Sequence, residues 1–330
     1  MKAMVIREFG APEVFTQTQL QAPQLCPGHV LINVMATSIN PVDTKIRQGK
    51  LAAIAPDFPA VLHGDVSGSV AAVADDVQGF AVGDKVISCG GGVRGTGGAL
   101  ADQMLVDARL LAPAPAKMDL AQSAALPLVG ITAWTALMEK AKLQAGQSVL
   151  IHGATGGVSH IGIQLARSRG AQVYATCSSA EKAAIAKRLG AHECFLYRQQ
   201  NVAEYVQQAT DGKGFDVVFD TVGGDNIQQS FQAAALNGTV VSVSTRSTQD
   251  LSLMHSKGLS LHVVFMLIPL LHNVGRAGHG EILRQLVSLV DQGELTLLLD
   301  KERFGFNEVA KAHRYFETQT AQGKVLLLND

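Results

Sequence analysis

The sequence predicts an α/β protein in which a doubly wound parallel sheet is joined to a part built from short antiparallel strands. Three observations carry this expectation. Residues 148–166 run from an apolar strand through a glycine-rich corner into an amphipathic helix. Strand and helix patterns then alternate to residue 265, which calls for a parallel sheet with helices on both faces. The first 122 residues instead alternate β-rich runs with turn signals.

In that first part, His29-Val30-Leu31-Ile32-Asn33-Val34-Met35, Gly68-Ser69-Val70-Ala71-Ala72-Val73 and Asp84-Lys85-Val86-Ile87-Ser88 read as strands. Pro23, Pro27, Pro41, Pro56, Pro59, Gly79, Gly83 and Gly90 punctuate them, as in an antiparallel barrel or sandwich. The glycine-rich run 90–98 cannot form a helix or strand. It reads as a mobile loop or as one that closes over a substrate.

The organising stretch is Ser148-Val149-Leu150-Ile151, the corner His152-Gly153-Ala154-Thr155-Gly156-Gly157, and a helix marked by Val158, Ile161 and Leu165. Glycines let the backbone turn sharply and come close to a pyrophosphate, and the new helix presents free N–H groups and its positive end to that anion. Small residues could equally serve only a tight turn, so the context decides. A helical stretch over 120–143 leads in, carrying Gly130-Ile131-Thr132-Ala133-Trp134. Strands follow at 172–177, 192–196, 216–221, 239–243 and 259–265. Helices lie between them at 180–189, 202–209 and 226–235, with Gly190, Gly214 and Gly238 between elements. This alternation makes the corner a nicotinamide dinucleotide site.

The end of the second strand separates NAD from NADP. An NAD site wants an acid about twenty residues past the first glycine. Here the chain reads Tyr174-Ala175-Thr176-Cys177-Ser178-Ser179, with no acid until Glu181. Hydroxyls followed by Lys182 suit a 2′-phosphate, which needs donors and positive charge. Tyr197 and Arg198 could close the other side, while Lys182 alone could be an ordinary solvated helix lysine. Ser178, Lys182 and Tyr197 are therefore the candidates for the 2′-phosphate and adenosine ribose, and NADPH is the expected cofactor.

Composition sets bounds on these readings. At 330 residues the chain is long for one core and suggests two domains. Hydrophobic residues at 47% against 17% charged suit a well-buried enzyme. A net charge of −1 favours neither nucleic acid nor an anionic membrane as partner. The apolar start is too short for a signal segment, and the apolar region 259–271 is broken by His262 and Pro269, so a cytoplasmic protein is expected. Cys26, Cys89, Cys177 and Cys194 show no paired spacing and read as reduced, partly buried thiols.

Six segments together resemble the medium-chain dehydrogenase/reductase superfamily, in its zinc-independent quinone oxidoreductase (zeta-crystallin-like) branch. They are Ser38-Ile39-Asn40-Pro41-Val42-Asp43, Gly64-Asp65-Val66-Ser67-Gly68, Val82-Gly83-Asp84-Lys85-Val86, Gly130-Ile131-Thr132-Ala133, the corner 153–157, and Gly323-Lys324-Val325-Leu326. The resemblance spans essentially the whole chain. It implies a GroES-like β-barrel catalytic domain from residues 1–122 and 266–330, and a Rossmann domain over 123–265. It also implies a homodimer through the edge strand 259–265, although a helix could equally cover that edge.

Zinc-dependent relatives hold the metal on a Cys, a His and a second Cys. The matching places here hold Asn40, Gly64 and Leu128, with His63 one position off and read as a packing or hydrogen-bonding histidine. No metal is expected. Hydride transfer without a metal favours acceptors that delocalise negative charge themselves, namely quinones and α,β-unsaturated carbonyls. The alternatives are a metal-free alcohol dehydrogenase or aldehyde reductase, and a non-catalytic NADPH-binding protein with a structural, regulatory or RNA-associated role.

The resemblance also places the remaining candidates. Gly156, Gly157 and Val158 would face the pyrophosphate, Val222 and Gly223 the adenine–ribose side, and Ser244, Thr245 and Thr132 the nicotinamide side. Asn40 is the expected catalytic polar group by the acceptor, or else a turn asparagine before Pro41, with Lys45 nearby as a substrate contact. Lys324 either bridges the domains or lies on the surface. Ser159 stands where the family has a third glycine; its hydroxyl can bond back into its own helix, and a slight shift of helix against sheet with binding retained is expected.

Overall fold

Val149, Leu150, Ile151, Val217, Val218, Phe219, Val240 and Val241 are all essentially without exposure. The strands that carry them have both faces covered, which is why they read as unbroken apolar runs. The computed structural model describes residues 1–329, and the chain divides into two units.

The first unit takes in Met1–Ile131, Leu267–Gly293 and the chain from Leu297 onward. It opens with β1 (Lys2–Val5), β2 (Thr16–Gln19), β3 (His29–Ser38) and α1 (Pro41–Arg47). It continues through β4 (Asp65–Val73), β5 (Lys85–Cys89), β6 (Gln103–Asp107), β7 (Leu111–Pro113), α2 (Leu120–Ser123) and the start of α3 (Pro127–Trp134), whose residues from Thr132 belong to the second unit. The second unit, Thr132–Met266 with Glu294–Thr296, holds β8 (Ser148–Ile151), α4 (Gly157–Ser168), β9 (Gln172–Cys177), α5 (Ala180–Leu189) and β10 (Glu193–Leu196). It ends with α6 (Val202–Thr210), β11 (Phe215–Asp220), α7 (Asn226–Ala233), β12 (Ala234–Ser242), α8 (Ser252–Lys257) and β13 (Ser260–Val263). The chain then returns to the first unit with α9 (Ile268–His272), α10 (Arg276–Gln292), β14 (Leu299–Gly305), α11 (Val309–Glu317) and β15 (Lys324–Leu328).

The second unit is a parallel sheet in the order β10-β9-β8-β11-β12-β13. Its helices start where local chemistry lets them. Ser179 Oγ accepts from Lys182 N at 3.3 Å at the head of α5, and Gly190 ends that helix in the left-handed region. Asn201 and Glu204 cap α6 reciprocally, through bonds of 3.0 Å and 2.7 Å. The sheet of the first unit runs β14-β15-β3-β4-β5-β7 with β6 on β3; only β14 and β15 are parallel neighbours.

Three local expectations change. The helix expected over 120–143 is α2, α3 and a π-helical turn Thr135–Lys140. Pro127 has no N–H to continue a helix, and Ala124 and Ala125 pack with Ala36 and Leu326, which places residues 123–131 in the first unit. β12 begins at Ala234, where helix was expected, because the chain leaves α7 directly into pairing with Phe215. The run 90–98 is a packed segment rather than a mobile one. A Cβ on Gly91 would lie 2.0 Å from Gly97 O, and one on Gly98 would lie 2.0 Å from Leu62 O. Arg94, near its tip, donates its N–H to Ile54 O and its Nη1 to Ala53 O. Glycine is needed there because backbone lies against backbone.

No helix among the described residues is long and apolar enough to cross a membrane. Gly98→Ala is expected to lower stability by about 2 kcal/mol through overpacking. Urea unfolding checks this, and an unchanged midpoint would show that the segment yields freely.

Candidate functional site

Five of the six parallel strands of the second unit end in loops that carry candidate residues. β8 runs into the corner 153–157, β9 into Ser178, β10 into Tyr197, β11 into Val222 and Gly223, and β12 into Ser244 and Thr245. Parallel strands put all these ends on one edge of the sheet. The strand order reverses between β8 and β11, and doubly wound sheets take ligands in the crevice at that switch point.

The corner fits a pyrophosphate on its own geometry. Gly153 turns with φ of 70°, and Gly156, exposed, starts α4 with no side-chain cap. The first N–H groups of this twelve-residue helix are thus left for an anion, with Gly157 and Val158 in its first turn. Across the switch point, a Cβ on Gly223 would lie 2.1 Å from Ser244 O, so only glycine lets the exits of β11 and β12 come this close. Val222 beside it is more than half exposed, while Ser244 and Thr245 are half-buried.

The Ser159 hydroxyl finds its partners outside its own helix. Its Oγ donates to His152 O at 2.8 Å and lies 2.9 Å from Thr221 Oγ1, which also donates to His152 O at 2.8 Å. The first turn of α4 faces the end of β8, so the nearest acceptor belongs to the strand. The hydroxyl joins α4 to both β8 and the β11 exit.

Beneath the corner lie polar groups that the sequence reading missed. Asp220 Oδ1 accepts from Val222 N at 2.8 Å, Gly223 N at 2.9 Å and Asn226 Nδ2 at 3.0 Å, and so holds the β11 exit in shape. His152 Nδ1 pairs with Thr176 Oγ1 at 3.1 Å. Burial depresses His152 to about 4, against the opposing charge of Asp220, so the imidazole is neutral at physiological pH. At the far end of the edge, Ser178 and Lys182 are half-buried and Tyr197 and Arg198 exposed. Thr132 is buried in α3.

In the first unit the structure gathers a second constellation around Asp65. Its Oδ2 accepts from Ser38 Oγ at 2.7 Å and Asn40 Nδ2 at 2.8 Å, with Lys324 Nζ at 3.4 Å; its Oδ1 accepts from Leu128 N at 2.8 Å. Lys324 Nζ also donates to Ile39 O at 2.9 Å and to Asn40 Oδ1. Both ends of the Asn40 amide are therefore held. Lys324 does not sit on the surface: it is 3% exposed, and these partners lie in the first unit. Burial pulls its ammonium below the usual lysine range, against the pull of Asp65. Lys45, by contrast, is exposed on α1.

Asp43 Oδ2 accepts from Asn40 N at 2.8 Å, and burial raises this carboxyl to about 7. His63 is a hydrogen-bonding histidine, with Nε2 lying 2.9 Å from His313 Nε2 and Nδ1 3.4 Å from Thr37 Oγ1. Burial drives its imidazole down to about 3.

The family described as alcohol dehydrogenase GroES-like domain matches residues 26–116, and the one described as zinc-binding dehydrogenase matches residues 189–327. A quinone oxidoreductase of Pseudomonas aeruginosa is 32% identical over 335 residues, covering 99% of this chain and 99% of its own. The chain belongs to the medium-chain dehydrogenase/reductase superfamily. Its place there is the zinc-independent, quinone-oxidoreductase-like branch, with a Rossmann sheet in the second unit and the GroES-like architecture in the first.

Among solved structures, an alcohol dehydrogenase superfamily protein from Novosphingobium aromaticivorans aligns with a TM-score of 0.95 at 37% identity, covering 100% of both chains. Escherichia coli quinone oxidoreductase complexed with NADPH aligns with a TM-score of 0.88 at 25% identity, again over 100% of both chains.

The positions that carry zinc ligands in zinc-dependent members of this superfamily are built differently here. Asn40 is tied to Asp65 and Lys324, and Leu128 offers its backbone N–H to Asp65. At Gly64 even a Cβ would lie 2.8 Å from Gly91 O. No group of three His, Cys, Asp or Glu among the described residues is arranged to hold a metal ion.

Of the two acids missed, Asp65 lay in a segment quoted only for resemblance, while Asp220 could have been noticed as an acid closing a strand just before Val222-Gly223. The raised Asp43 carboxyl sets a stability prediction. The folded chain holds its proton to about 7, whereas the unfolded chain releases it in the ordinary carboxylate range. This contribution is fully present in acid and is lost as pH rises through about 7. Asp43→Asn should remove that fall, worth about 2–4 kcal/mol, between about pH 4.5 and 7.5. Urea midpoints at the two pH values check it, and parallel slopes in both proteins would assign the proton elsewhere.

Proposed function

We propose that this protein is an NADPH-dependent oxidoreductase, working without zinc, that transfers a hydride to a quinone or an α,β-unsaturated carbonyl. One observation carries the reading. A single sheet edge pairs an uncapped helix start behind a glycine corner with a second strand ending in Ser178 and, in the first turn of the next helix, Lys182. The first suits a pyrophosphate, and the second suits a 2′-phosphate where an NAD site would carry an acid. The Escherichia coli structure with NADPH and the Pseudomonas aeruginosa quinone oxidoreductase support the same reading.

In this reading Gly156, Gly157 and Val158 face the pyrophosphate, and Ser178, Lys182 and Tyr197 hold the 2′-phosphate and adenosine ribose. Val222 and Gly223 line the adenine–ribose side, and Ser244, Thr245 and Thr132 the nicotinamide side. The cofactor supplies the hydride. Asn40 is the fixed polar group on the acceptor side, its amide oriented by Asp65 and Lys324, and the exposed Lys45 is the mobile one.

A simple ketone would become an alkoxide, whose charge needs a metal or a strong acid. Asn40, Gly64 and Leu128 supply no such ligand set. A quinone or enone spreads the charge by itself and takes its proton from water, so catalysis is chiefly positioning. The protein works in the cytoplasm as a homodimer. β13 is an outer strand of its sheet, and nearby Val263 and Phe265 are 49% and 41% exposed.

Lys182→Ala should weaken NADPH about tenfold, the scale of one lost charge-assisted hydrogen bond, and NADH little. Titration of both cofactors checks this, and equal losses would sink the phosphate assignment. NADPH turnover should appear with a simple quinone and an enone but not with a saturated ketone. Reduction of the ketone alone would favour a metal-free alcohol dehydrogenase or aldehyde reductase. Tight binding with no turnover on any acceptor would favour a non-catalytic role.

A further inference from the structure

Cys177 and Cys194, seventeen positions apart in the chain, meet in the fold with their sulfurs 3.1 Å apart. Cys177 is the last residue of β9 and Cys194 lies in the neighbouring β10. The register pairs Cys177 with Leu196 and Cys194 with Ala175, so the two thiols lie diagonally on one face of the sheet. A hydrogen-bond relay runs from Cys194 Sγ to Cys177 Sγ and on to Ser179 O at 3.3 Å. Ser179 is the cap of α5, whose hydroxyl accepts from Lys182 N. The relay therefore ends on the loop assigned above to the 2′-phosphate.

We propose that Cys177 and Cys194 are a dithiol that peroxide oxidises to a disulfide, and that this bond loosens the 2′-phosphate end of the cofactor site. The second half rests on the assignment of Ser178 and Lys182 to that phosphate.

Three features favour the pair over the other two cysteines. The thiols need only about 1 Å of further approach to reach bonding distance. The hydrogen bond from Cys194, helped by the charge of Lys182 and opposed by burial, brings Cys177 down to about 7, while Cys194 is pushed up, so the pair shares one readily lost proton. Cys194 is half-exposed, so peroxide can reach it. Cys89, by contrast, is buried with its thiol pushed up by burial, and the Cys26 sulfur pairs with His29 Nδ1 at 3.3 Å.

The chemistry balances. The Cys177 thiolate, which accepts the hydrogen bond from Cys194, attacks peroxide that enters beside half-exposed Cys194. An S–O bond forms, the O–O bond breaks, and the departing oxygen leaves as water. Cys194 then attacks the sulfenic sulfur of Cys177 and displaces a second water as the S–S bond closes. Two thiols lose two electrons and two protons, and peroxide becomes two waters. The disulfide removes the thiol donor to Ser179 O and draws the end of β9 toward β10, away from the geometry that serves Ser178 and the α5 cap.

The test treats the reduced full-length protein with hydrogen peroxide, then measures intact mass, free thiols, and NADPH and NADH affinity before and after a dithiol reductant. The expected result is loss of two of the four thiols, a mass lower by two hydrogens, an NADPH Kd raised about tenfold with NADH little changed, and full reversal. Cys177→Ser and Cys194→Ser should each abolish the response. Mass gain by oxygen without a disulfide would overturn the proposal, as would a disulfide that leaves NADPH affinity unchanged or weakens both cofactors alike. Lys182→Ala in the reduced protein reads the phosphate assignment separately. If it discriminates against NADPH while peroxide does not, the switch alone fails.

Discussion

A parallel sheet buried on both faces can present chemistry only where its strands stop, and the second unit is built around that constraint. Val149 to Ile151, Val217 to Phe219, Val240 and Val241 are sealed on both sides. What faces a ligand is the rim where backbone leaves the sheet. There lie the corner at Gly153, the uncapped head of α4 and the close approach of Gly223 to Ser244. The polar residues beneath the rim, Asp220, Ser159, Thr221 and His152, point into it from below. They spend their hydrogen bonds on holding loops rather than on solvent.

The first unit applies the same rule to charge. A carboxylate and an ammonium buried together survive only when hydrogen bonds satisfy both, and Asp65 receives donors from four chain segments while Lys324 donates to three acceptors. The pair adds little net stability by itself, yet loss of either partner would strand a charge. Its consequence is orientation. The end of β3, the head of α1, the start of α3 and the start of β15 are tied to one carboxylate, and Asn40 is locked among them.

Much of the fold was legible because it rests on local chemistry. The apolar run at 148–151, the glycine corner, and the helix starts at Ser179 and Asn201 all follow from residues within a few positions of one another. Where the reading slipped, a distant contact was responsible, apart from the local break at Pro127. Pro127 splits the lead-in helix, and Ala124 and Ala125 draw residues 123–131 into the first unit through Ala36 and Leu326, which lie far away in sequence. The glycines at 90–98 read as freedom, whereas Gly97 O and Leu62 O make Gly91 and Gly98 a requirement of packing.

The sequence by itself determined a nucleotide-binding α/β protein and the absence of an acid at the end of its second strand, while Asn40, Gly64 and Leu128 in the places of zinc ligands were what the family resemblance implied. These are statements about residue type and short spacing, which a linear reading can make. Only the tertiary structure decided that Lys324 is buried against Asp65, that Ser159 bonds to the end of β8, and that Cys177 and Cys194 touch. Each depends on two segments that become neighbours when strands pair, and no pattern along the chain records which strands those are.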